Sequence, residues 1–441
     1  MNSFTKIDTI KLGLTMFALF FGAGNMIFPP LLGQQAGDQA WLTLAGFLIT
    51  GVGLPYLGVI AVTMSGNQLS DLAGKASPLF AIVFPLVVYL ALGPFFGVPR
   101  TATVSFEIAV SPFVSESYKT LALVLFSIIF FAVTIWLSLK PNKMVDRFGS
   151  ILTPVLLAIV TLIVVTGIVN PLGKAGIPQE PFDENFFIKG FIEGYGTMDA
   201  MAALVFAIIV INAVKAKGIT DRKAITSITM RAGTIAVIGL SLVYAGLAYL
   251  GTTSRGVADG ATNGGDILAK LAYALMGNNG LYLLGLAVTL ACLTTSVGLV
   301  TASATYLSKI IPSVSYKRLV IIICASTTIV ANIGLTKLLS VTLPVLVGVY
   351  PLAIVLISFR LIHRLFRGYH EVYLFGLAAA GVIGMFDMLH AFGLELTPVM
   401  KVLKHLPLYE QGVGWIVPAL ILGFIGFIIA AAQGKPRVLQ E

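Results

Sequence analysis

Polar residues able to bind ions interrupt three long apolar stretches of this 441-residue chain. The stretch FFGAGNMIFPP (20–30) places an asparagine between glycines and two prolines, and FIEGYGTMDAMAALVF (191–206) carries threonine and aspartate beside two glycines. A third stretch, ACLTTSVGL (291–299), holds two adjacent hydroxyls one helical turn after an alanine. Amides, hydroxyls and freed carbonyls can bind a small cation, and unpaired backbone N–H groups can bind an anion.

The first stretch has the composition of an interrupted helix. Gly22 and Gly24 allow the backbone to unwind, and Asn25 adds an amide that can coordinate an ion or cap the next helix. Pro29 and Pro30 fall in the first turns of that helix, where their missing N–H groups cost least. The pattern predicts two half-helices that offer N–H groups to an anion and carbonyls to a cation. A plain packing kink is the alternative.

The second stretch repeats this composition. Gly194 and Gly196 interrupt an apolar run and are followed by Thr197 and Asp199. An aspartate at the centre of a membrane span costs about 2.5–3.5 kcal/mol on insertion scales, so we expect Asp199 to have a function.

The third stretch predicts a group of oxygen ligands on one helix face. Ala291, Thr294 and Thr295 lie on one turn, and one carbonyl with two hydroxyls would offer three oxygens to a cation. Cys292, Thr295 and Ser296 repeat the spacing one residue later, so the register stays open. The alternative is that these hydroxyls bond to the preceding turn or join helices.

The elements that must position these residues are membrane helices. The chain is 57% hydrophobic and only 11% charged, which predicts an all-α integral membrane protein. A bilayer span needs about 20 residues, and twelve runs are candidates. We number them spans 1 to 12 in chain order: 9–31, 38–64, 77–110, 119–139, 148–169, 186–213, 225–251, 280–308, 318–334, 337–359, 372–393 and 412–433.

The two interrupted helices lead two halves of the chain. Spans 1–5 (9–169) and spans 6–10 (186–365) hold five spans each, and an odd number forces the second half to enter from the opposite side. This is the inverted-repeat arrangement of transporters, with substrate and ion between the two breaks.

Spans 11 and 12 (372–433) are additional, and residues 1–441 form a single membrane domain. Span 3 exceeds the length of one crossing, which predicts tilt or an extension. The segment 267–277 is amphipathic and predicts a helix at the membrane interface.

The distribution of basic residues predicts the orientation. If the N-terminus lies inside the cell, 19 of the 28 Lys and Arg residues fall in cytoplasmic segments and 7 fall in outer segments. The positive-inside rule therefore predicts that both termini are cytoplasmic. The net charge of +9 reflects this topology rather than a nucleic-acid partner, because the basic residues are spread over every inner loop.

Three quoted runs carry a resemblance to a known family. The runs FALFFGAGNMIFPPLLGQQAG, VPRTATVSFE in span 3 and GYGTMDAMAAL in span 6 closely resemble the bacterial branched-chain amino acid:cation symporter family, over essentially the whole chain. The resemblance implies the LeuT-type 5+5 inverted repeat of the amino-acid/polyamine superfamily, in the bacterial cell membrane. It also implies import of leucine, isoleucine and valine with Na⁺, or with H⁺ in some members, with no cofactor and no enzymatic activity.

The resemblance also implies roles for individual residues. The GNM run of this chain (24–26) matches the relatives' pattern, which implies that Asn25 is the side-chain ligand of the ion nearest the substrate. The substrate carboxylate would then bind the N–H groups of Ala23, Gly24 and Asn25. A second Na⁺ would be held by the carbonyls of Ala18 and Phe21 with the hydroxyls of span 8. The resemblance implies Ala18, Phe21, Asn25, Thr294 and Thr295 as ion ligands. With Ala291 and Ser296 from the helical spacing of span 8, the full set of candidate Na⁺ ligands is Ala18, Phe21, Asn25, Ala291, Thr294, Thr295 and Ser296. From span 6, which departs from the relatives' pattern, the implied substrate residues are Tyr195, Gly196, Thr197 and Asp199.

Span 3 supplies two further candidates. Branched-chain substrates offer only methyl groups, so Phe95 and Phe96 could line an apolar pocket, with core packing as the alternative. Arg100 and Glu107 lie two turns apart and could form part of an outer gate or a structural ion pair.

Other classes of protein fit the sequence less well. A channel would need a polar ring along a continuous pore, and an intramembrane enzyme would need a converging set of catalytic groups.

Asp387 and His390 lie outside the ten-span core and suggest a structural or oligomeric role. The remaining alternatives are an H⁺-coupled transporter, a transporter of another small amino acid, or an amino-acid sensor with the same fold.

The carboxylate hypothesis makes a direct prediction. Half-helix N–H groups recognise a negative charge, so leucinol and leucinamide should fail to compete with labelled leucine for uptake. Isoleucine, which keeps the carboxylate, serves as the positive control. Competition by leucinol equal to that of isoleucine would show that the break at 22–25 does not bind the carboxylate.

Overall fold

The computed structural model describes residues 4–140, 148–180, 182, 184–261, 263–394 and 397–436. Lys143, Arg147 and Arg437, which entered the orientation argument, lie outside these residues. The described part of the chain is helical and contains no strand. Its α-helices are Lys6–Phe20, Ala23–Ala36, Ala40–Leu48, Leu54–Ser65, Leu69–Ala73, Phe80–Leu90, Gly97–Ala109, Lys119–Ser138, Thr153–Val169, Phe186–Glu193, Asp199–Lys215, Arg222–Thr252, Arg255–Ala258, Gly264–Ile310, Tyr316–Ala331, Leu335–Leu361, His370–Ala391, Thr397–Leu403 and Ile416–Ala432.

The predicted spans all fall on helical segments, and the prediction of an all-helical membrane protein is confirmed. Within the described ranges, eight helices are long and apolar enough to cross a membrane, and one bent pair in span 6 makes nine. Spans 9 and 12 form helices of 16 and 17 residues, and span 1 is divided into halves of 15 and 14 residues. The number twelve and the inverted repeat stay predictions.

Both predicted helix breaks are present. In span 1 the first half-helix ends at Phe20 and the second begins at Ala23, with Gly22 in an extended conformation. In span 6 the helix ends at Glu193, passes through a 3₁₀ turn (Gly194–Thr197) and a left-handed residue at 198, and resumes at Asp199 with a bend of 45°. Glycine allows the breaks to pack closely on other helices, because a Cβ on Gly22 would lie 2.7 Å from the Thr295 hydroxyl and a Cβ on Gly194 would lie 2.0 Å from the Thr50 hydroxyl.

Span 3 contains an interruption that the sequence analysis did not anticipate, and its predicted tilt or extension stays a prediction. A π-helical turn at Ala91–Phe95 separates the helices Phe80–Leu90 and Gly97–Ala109, and the N–H of Phe96 donates to the carbonyl of Ala91 over 2.8 Å. Pro94 lies within the turn and has no N–H to continue the regular pattern. The π turn changes which residues of span 3 face the centre of the bundle.

The amphipathic segment before span 8 packs its apolar side on protein, and its position at the membrane interface stays a prediction. The helix Gly264–Ile310 changes direction at Gly277, whose φ is +61°. On the first part, Ile267, Leu268 and Leu271 are buried in the core. A Cβ on Gly264 would lie 1.7 Å from the carbonyl oxygen of Ile27, so this segment lies directly against the second half of span 1.

The C-terminal helices are held to each other by polar contacts. Tyr409 donates a hydrogen bond of 2.8 Å to Asp387, and Lys435 pairs with Glu371 at the start of span 11. The hydroxyl of Tyr369 also donates to the carbonyl of Lys435 over 3.0 Å. Asp387 thus has a structural contact, in agreement with its predicted role outside the core.

The first half of span 6 is packed on span 2 through two glycines. A Cβ on Gly46 would lie 1.9 Å from the carbonyl oxygen of Phe187, and a Cβ on Gly190 would lie 1.8 Å from that of Thr43. Helices in a membrane associate through such small-residue contacts, which let their backbones approach closely. This contact fixes the position of the segment that leads into the second break.

Replacing one of these glycines should therefore destabilise the protein. We expect Gly46→Ala to lower the stability by about 1–3 kcal/mol or more, the usual effect of overpacking, because the two backbones would have to separate. The measurement is the melting temperature in a mild detergent. Gly53→Ala, seven residues along the same span, is the matched control, because its Cβ would meet nothing closer than 3.7 Å. Equal melting temperatures for the two variants would contradict the packing analysis.

Candidate functional site

The side chain of Asn25 connects the two helix breaks. Its Oδ1 accepts a hydrogen bond of 2.8 Å from the N–H of Gly22, which assigns the orientation of the amide. Its Nδ2 then donates to the carboxylate of Asp199 and to the hydroxyl of Tyr244. One amide therefore caps the second half-helix of span 1 and holds the carboxylate of span 6.

Asp199 is buried, with only 4% of its surface exposed. It is the first residue of the helix Asp199–Lys215, where the helix dipole favours a negative charge. Besides Asn25, the hydroxyl of Tyr244 donates to its carboxylate over 3.3 Å, and its own N–H donates to the Thr197 hydroxyl over 3.2 Å. The carboxylate thus lies in the site where the two breaks meet.

Arg100 of span 3 supplies a buried positive charge to the same site. Its Nη1 donates to the carbonyl of Gly196 over 2.6 Å, and its Nη2 donates to that of Thr197 over 2.8 Å. Its Nε has no hydrogen-bond partner among the described residues. The guanidinium also lies beside Gly24, since a Cβ there would be 2.7 Å from Nη2. Arg100 therefore contacts both breaks.

Arg100 is not paired with Glu107, which corrects the prediction that the two form part of an outer gate or an ion pair. Glu107 lines a separate cavity of about 450 Å³ together with Lys119, Asp266 and Lys270. The signal that could have identified Arg100 was available, because a charged residue inside an apolar span is functional by default.

A small cavity lies between the two breaks, span 3 and span 8. Its volume is about 20 Å³, room for about one water molecule and far too small for an amino acid. Its lining residues are Leu19, Gly22, Ala23, Gly24, Asn25, Leu92, Gly97, Arg100, Thr101, Thr197, Met198, Asp199, Ala202, Thr295 and Leu299. The conformation is therefore closed around the site, and admitting a substrate requires the surrounding helices to separate.

The predicted substrate residues of span 1 line this cavity, whereas the predicted aromatic pair does not. Phe95 is 50% exposed on the outside of the bundle, and Phe96 is absent from the lining. With the π turn at Ala91–Phe95, the residues of span 3 that line the cavity include Leu92, Gly97 and Thr101 instead. The assignment of Phe95 and Phe96 to the pocket is therefore corrected.

Among the predicted residues of span 6, Thr197 and Asp199 line the cavity, and the other two lie beside it. The ring of Tyr195 stacks on Tyr350 with centroids 4.4 Å apart, so it contributes to packing. The carbonyl of Gly196 accepts a hydrogen bond from Arg100.

The hydroxyls of span 8 meet the end of the first half-helix of span 1. The Thr294 hydroxyl lies 3.0 Å from the Ala18 carbonyl oxygen and 2.9 Å from that of Ala291. The Thr295 hydroxyl lies 3.2 Å from the carbonyl oxygen of Leu19 and 3.5 Å from that of Ala18. Four of the predicted ion ligands, Ala18, Ala291, Thr294 and Thr295, are thus brought together.

The structure leaves Ser296 out of this oxygen cluster. Its hydroxyl is 3.3 Å from that of Thr134 in span 4, because it projects from a different side of the helix. The Phe21 ring stacks on Phe17, and residue 21 lies at the break beside the cluster. Within the described residues, no three His, Cys, Asp or Glu side chains are grouped to hold a metal ion. The candidate cation site consists of neutral oxygens.

Polar contacts also join neighbouring segments at both ends of the bundle. At the N-terminal end, Lys217 contacts Asp8 over 2.9 Å, and Lys309 donates to Gln68 over 3.0 Å. The hydrogen bonds from Lys217 and Thr5 lower the pKa of Asp8 to about 2, so this carboxylate stays ionised at neutral pH. At the opposite end of span 1, Gln34 Nε2 donates to the Ser254 hydroxyl over 2.9 Å.

Two solved structures share this architecture. The structure superposes on Mhp1, a nucleobase-cation-symport-1 family transporter in a closed conformation with bromovinylhydantoin bound, with a TM-score of 0.62 and 17% identity, covering 96% of this chain and 93% of the other. It superposes on MhsT in complex with L-phenylalanine with a TM-score of 0.57 and 14% identity, covering 97% and 98%. At these identities the likeness shows a shared LeuT-type fold.

Sequence comparisons identify closer relatives. The chain is 45% identical to the branched-chain amino acid permease BraB of Bacillus subtilis over 98% of both chains, and 44% identical to BrnQ of the same organism over 97% of both. It is 36% identical to the branched-chain amino acid permease BrnQ of Escherichia coli over 97% of both. A family profile described as branched-chain amino acid transport protein matches residues 5–433. The chain therefore belongs to this family of transport proteins, which are not enzymes.

Proposed function

We propose that this protein imports leucine, isoleucine and valine across the bacterial cell membrane, in symport with Na⁺ and by alternating access. The observation that carries the proposal is the pair of buried opposite charges, Arg100 and Asp199, at the meeting point of two broken helices. The names of the permeases BraB and BrnQ support the substrate class. Both termini would be cytoplasmic, as the distribution of basic residues predicts.

The two charges are complementary to an amino-acid zwitterion. The substrate carboxylate would bind the N–H groups at the start of the second half-helix (Ala23–Ala36) and the remaining donors of Arg100. The substrate ammonium group would bind the carboxylate of Asp199 and the carbonyls of the second break. Each buried charge would then have a partner, which offsets its desolvation.

The substrate side chain would contact apolar groups. Leu92, Ala202 and Leu299 line the cavity and offer only hydrocarbon. A branched aliphatic side chain gains about 0.8 kcal/mol for each buried CH₂ in such surroundings, whereas a polar side chain would lose hydrogen bonds to water. This favours leucine, isoleucine and valine over polar amino acids of similar size.

The oxygen cluster of spans 1 and 8 is the proposed Na⁺ site. Hydroxyls and carbonyls of Ala18, Ala291, Thr294 and Thr295 lie within hydrogen-bonding distance of one another, and Na⁺ would replace these contacts with coordination. None of these groups titrates near neutral pH, so the cluster cannot carry a proton. Because Ala18 and Leu19 lie in the last turn of the half-helix that leads to Asn25, Na⁺ bound here would stabilise the substrate-binding form of the break.

Coupling to H⁺ is the second candidate mechanism, and one observation favours it. Asp199 is the carboxylate that lines the closed cavity, and it contacts Asn25 and Tyr244. A proton on Asp199 would change both contacts and the affinity for the substrate amine. An H⁺-coupled carrier of another small amino acid, or a sensor, would use the same site.

Uptake into proteoliposomes tests the proposed function. Labelled leucine is supplied with an inward Na⁺ gradient or an inward H⁺ gradient, imposed separately. We expect accumulation with the Na⁺ gradient alone. Accumulation with the H⁺ gradient in Na⁺-free buffer would establish coupling to H⁺. A protein that binds leucine but does not exchange it across the membrane in a counterflow assay would be a sensor.

The role of Asp199 is tested by removing its charge. We expect Asp199→Asn to abolish leucine accumulation while the melting temperature stays near that of the wild type, because the isosteric amide keeps the shape of the site. The matched control is Asp387→Asn, which removes the carboxylate that Tyr409 contacts outside the core and should leave uptake unchanged. Normal uptake per folded molecule by Asp199→Asn would leave this carboxylate with a structural role only.

The Na⁺ site is tested by exchanging hydroxyls for methyl groups. Thr294→Val and Thr295→Val each remove one oxygen and keep the side-chain shape. A lost ligand worth about 1–2 kcal/mol should raise the Na⁺ concentration for half-maximal uptake by roughly 5- to 30-fold. Ser296→Ala removes a hydroxyl from the same helix that points to Thr134, so it should leave Na⁺ dependence unchanged. An equal response of all three variants would argue against this site.

A further inference from the structure

A third cavity, larger than the two described above, lies at the end of the bundle that is rich in basic residues. Its volume is about 940 Å³, within the range of small-molecule binding sites. It lies between one face of the helix Leu54–Ser65, the N-terminal end of Arg222–Thr252 and the C-terminal end of Leu335–Leu361. The residues that line it are different from those of the closed cavity between the helix breaks.

The cavity has apolar walls and a basic rim. The walls are formed by Tyr56, Leu57, Ile60, Met64, Met230 and Leu361. The rim carries Arg222, Lys223, Arg360 and Arg364 with His363, and none of the described lining residues is acidic. Asp221, next in sequence to the rim, uses its carboxylate to cap a helix by accepting the N–H of Ala224 over 2.7 Å.

The positive charges of the rim lie close enough to act on one another and on Lys75, a neighbouring residue outside the cavity lining. The pKa of Lys75 is lowered by its burial and then by repulsion from Arg360 and Arg222, while Asp71 acts weakly in the opposite direction. Arg360 is itself largely buried, and its contacts are neutral oxygens: Nε donates to the Ser65 hydroxyl over 2.8 Å and Nη2 donates to the carbonyl of Met64. An anion at this rim would offset the accumulated charge.

The surroundings of the cavity match a lipid rather than a soluble anion. Leu365 and Ile362, on either side of Arg364, are 78% and 41% exposed, and Met230 in the wall is 44% exposed. Exposed apolar side chains beside basic ones are typical of a membrane surface. A free phosphate would contact the rim and leave the apolar walls uncovered, whereas a phospholipid would cover both.

We propose that this cavity binds one anionic phospholipid, with its phosphate between Lys223 and Arg364 and an acyl chain along Leu57, Ile60 and Met230. Basic pockets between membrane helices at the cytoplasmic side are known to bind anionic headgroups. Such a lipid would connect the ends of spans 2, 7 and 10. The inference is independent of the proposed substrate and coupling ion.

Lipid binding can be measured on the purified full-length protein in a neutral detergent. Phosphatidylglycerol and phosphatidylcholine with identical acyl chains are added in parallel, and bound lipid is counted by native mass spectrometry while the melting temperature is recorded. We expect one retained phosphatidylglycerol and a higher melting temperature, because a ligand that binds only the folded state stabilises it. Phosphatidylcholine should give neither effect.

Two variants separate the headgroup from the acyl chain. Lys223→Gln combined with Arg364→Gln should weaken phosphatidylglycerol binding about 30-fold, since each basic residue near the surface contributes about 1 kcal/mol. Met230→Trp should also weaken binding, because it fills the wall and keeps every charge. The matched control combines Lys317→Gln with Arg318→Gln, exposed residues in the neighbouring inner segment and outside the cavity, and should bind like the wild type.

Three results would overturn the proposal. The first is equal retention of phosphatidylglycerol and phosphatidylcholine. The second is equal loss of binding in the cavity variant and in the control, which would indicate general attraction to a basic surface. The third is full competition by inorganic phosphate, which would make the ligand a free anion rather than a lipid.

Discussion

Backbone groups released inside an apolar layer must find partners within the protein, and the centre of this molecule is organised by that requirement. Asn25 satisfies it for the first break by accepting the N–H of Gly22. Arg100 satisfies it for the second break by donating to the carbonyls of Gly196 and Thr197. Asn25 and Arg100 both line the same small cavity, so the residues that satisfy the backbone at the breaks also form the candidate binding site.

The break in span 1 connects the two kinds of chemistry in the protein. The carbonyl oxygens of Ala18 and Leu19 contact the hydroxyls of span 8, and Asn25, a few residues later, contacts Asp199. A cation on the first group and a substrate on the second would therefore act on one short piece of backbone. Coupling between ion and substrate needs such a shared element, whose arrangement both ligands favour.

Tight packing determines what kind of motion can open the site. Glycine contacts bring backbones together at Gly46 and Gly190 and at Gly264, where a single added carbon would meet a carbonyl oxygen. Close-packed interfaces of this kind move as rigid bodies rather than deforming gradually. Because the central cavity holds about one water, access must come from movement of whole half-helices, with the breaks at Gly22 and 194–198 as the flexible points.

The sequence by itself determined the features that depend on local composition. Glycines beside polar residues in an apolar run predicted both breaks, and the spacing of Ala291, Thr294 and Thr295 predicted a shared helix face. The family and its fold were predicted from the quoted motifs. These inferences succeeded because backbone freedom and helical periodicity are properties of neighbouring residues.

Only the tertiary structure decided which faces meet. The alternative register, with Ser296 as an ion ligand, is equally compatible with helical spacing. Because span 4 lies beside this residue, the Ser296 hydroxyl instead contacts that of Thr134. The π turn in span 3 directed Phe95 outward and left Arg100 facing the second break, although the sequence placed both in one continuous helix. The physical reason is that a helix specifies the angle between its side chains, whereas the partner of each side chain depends on how distant helices pack.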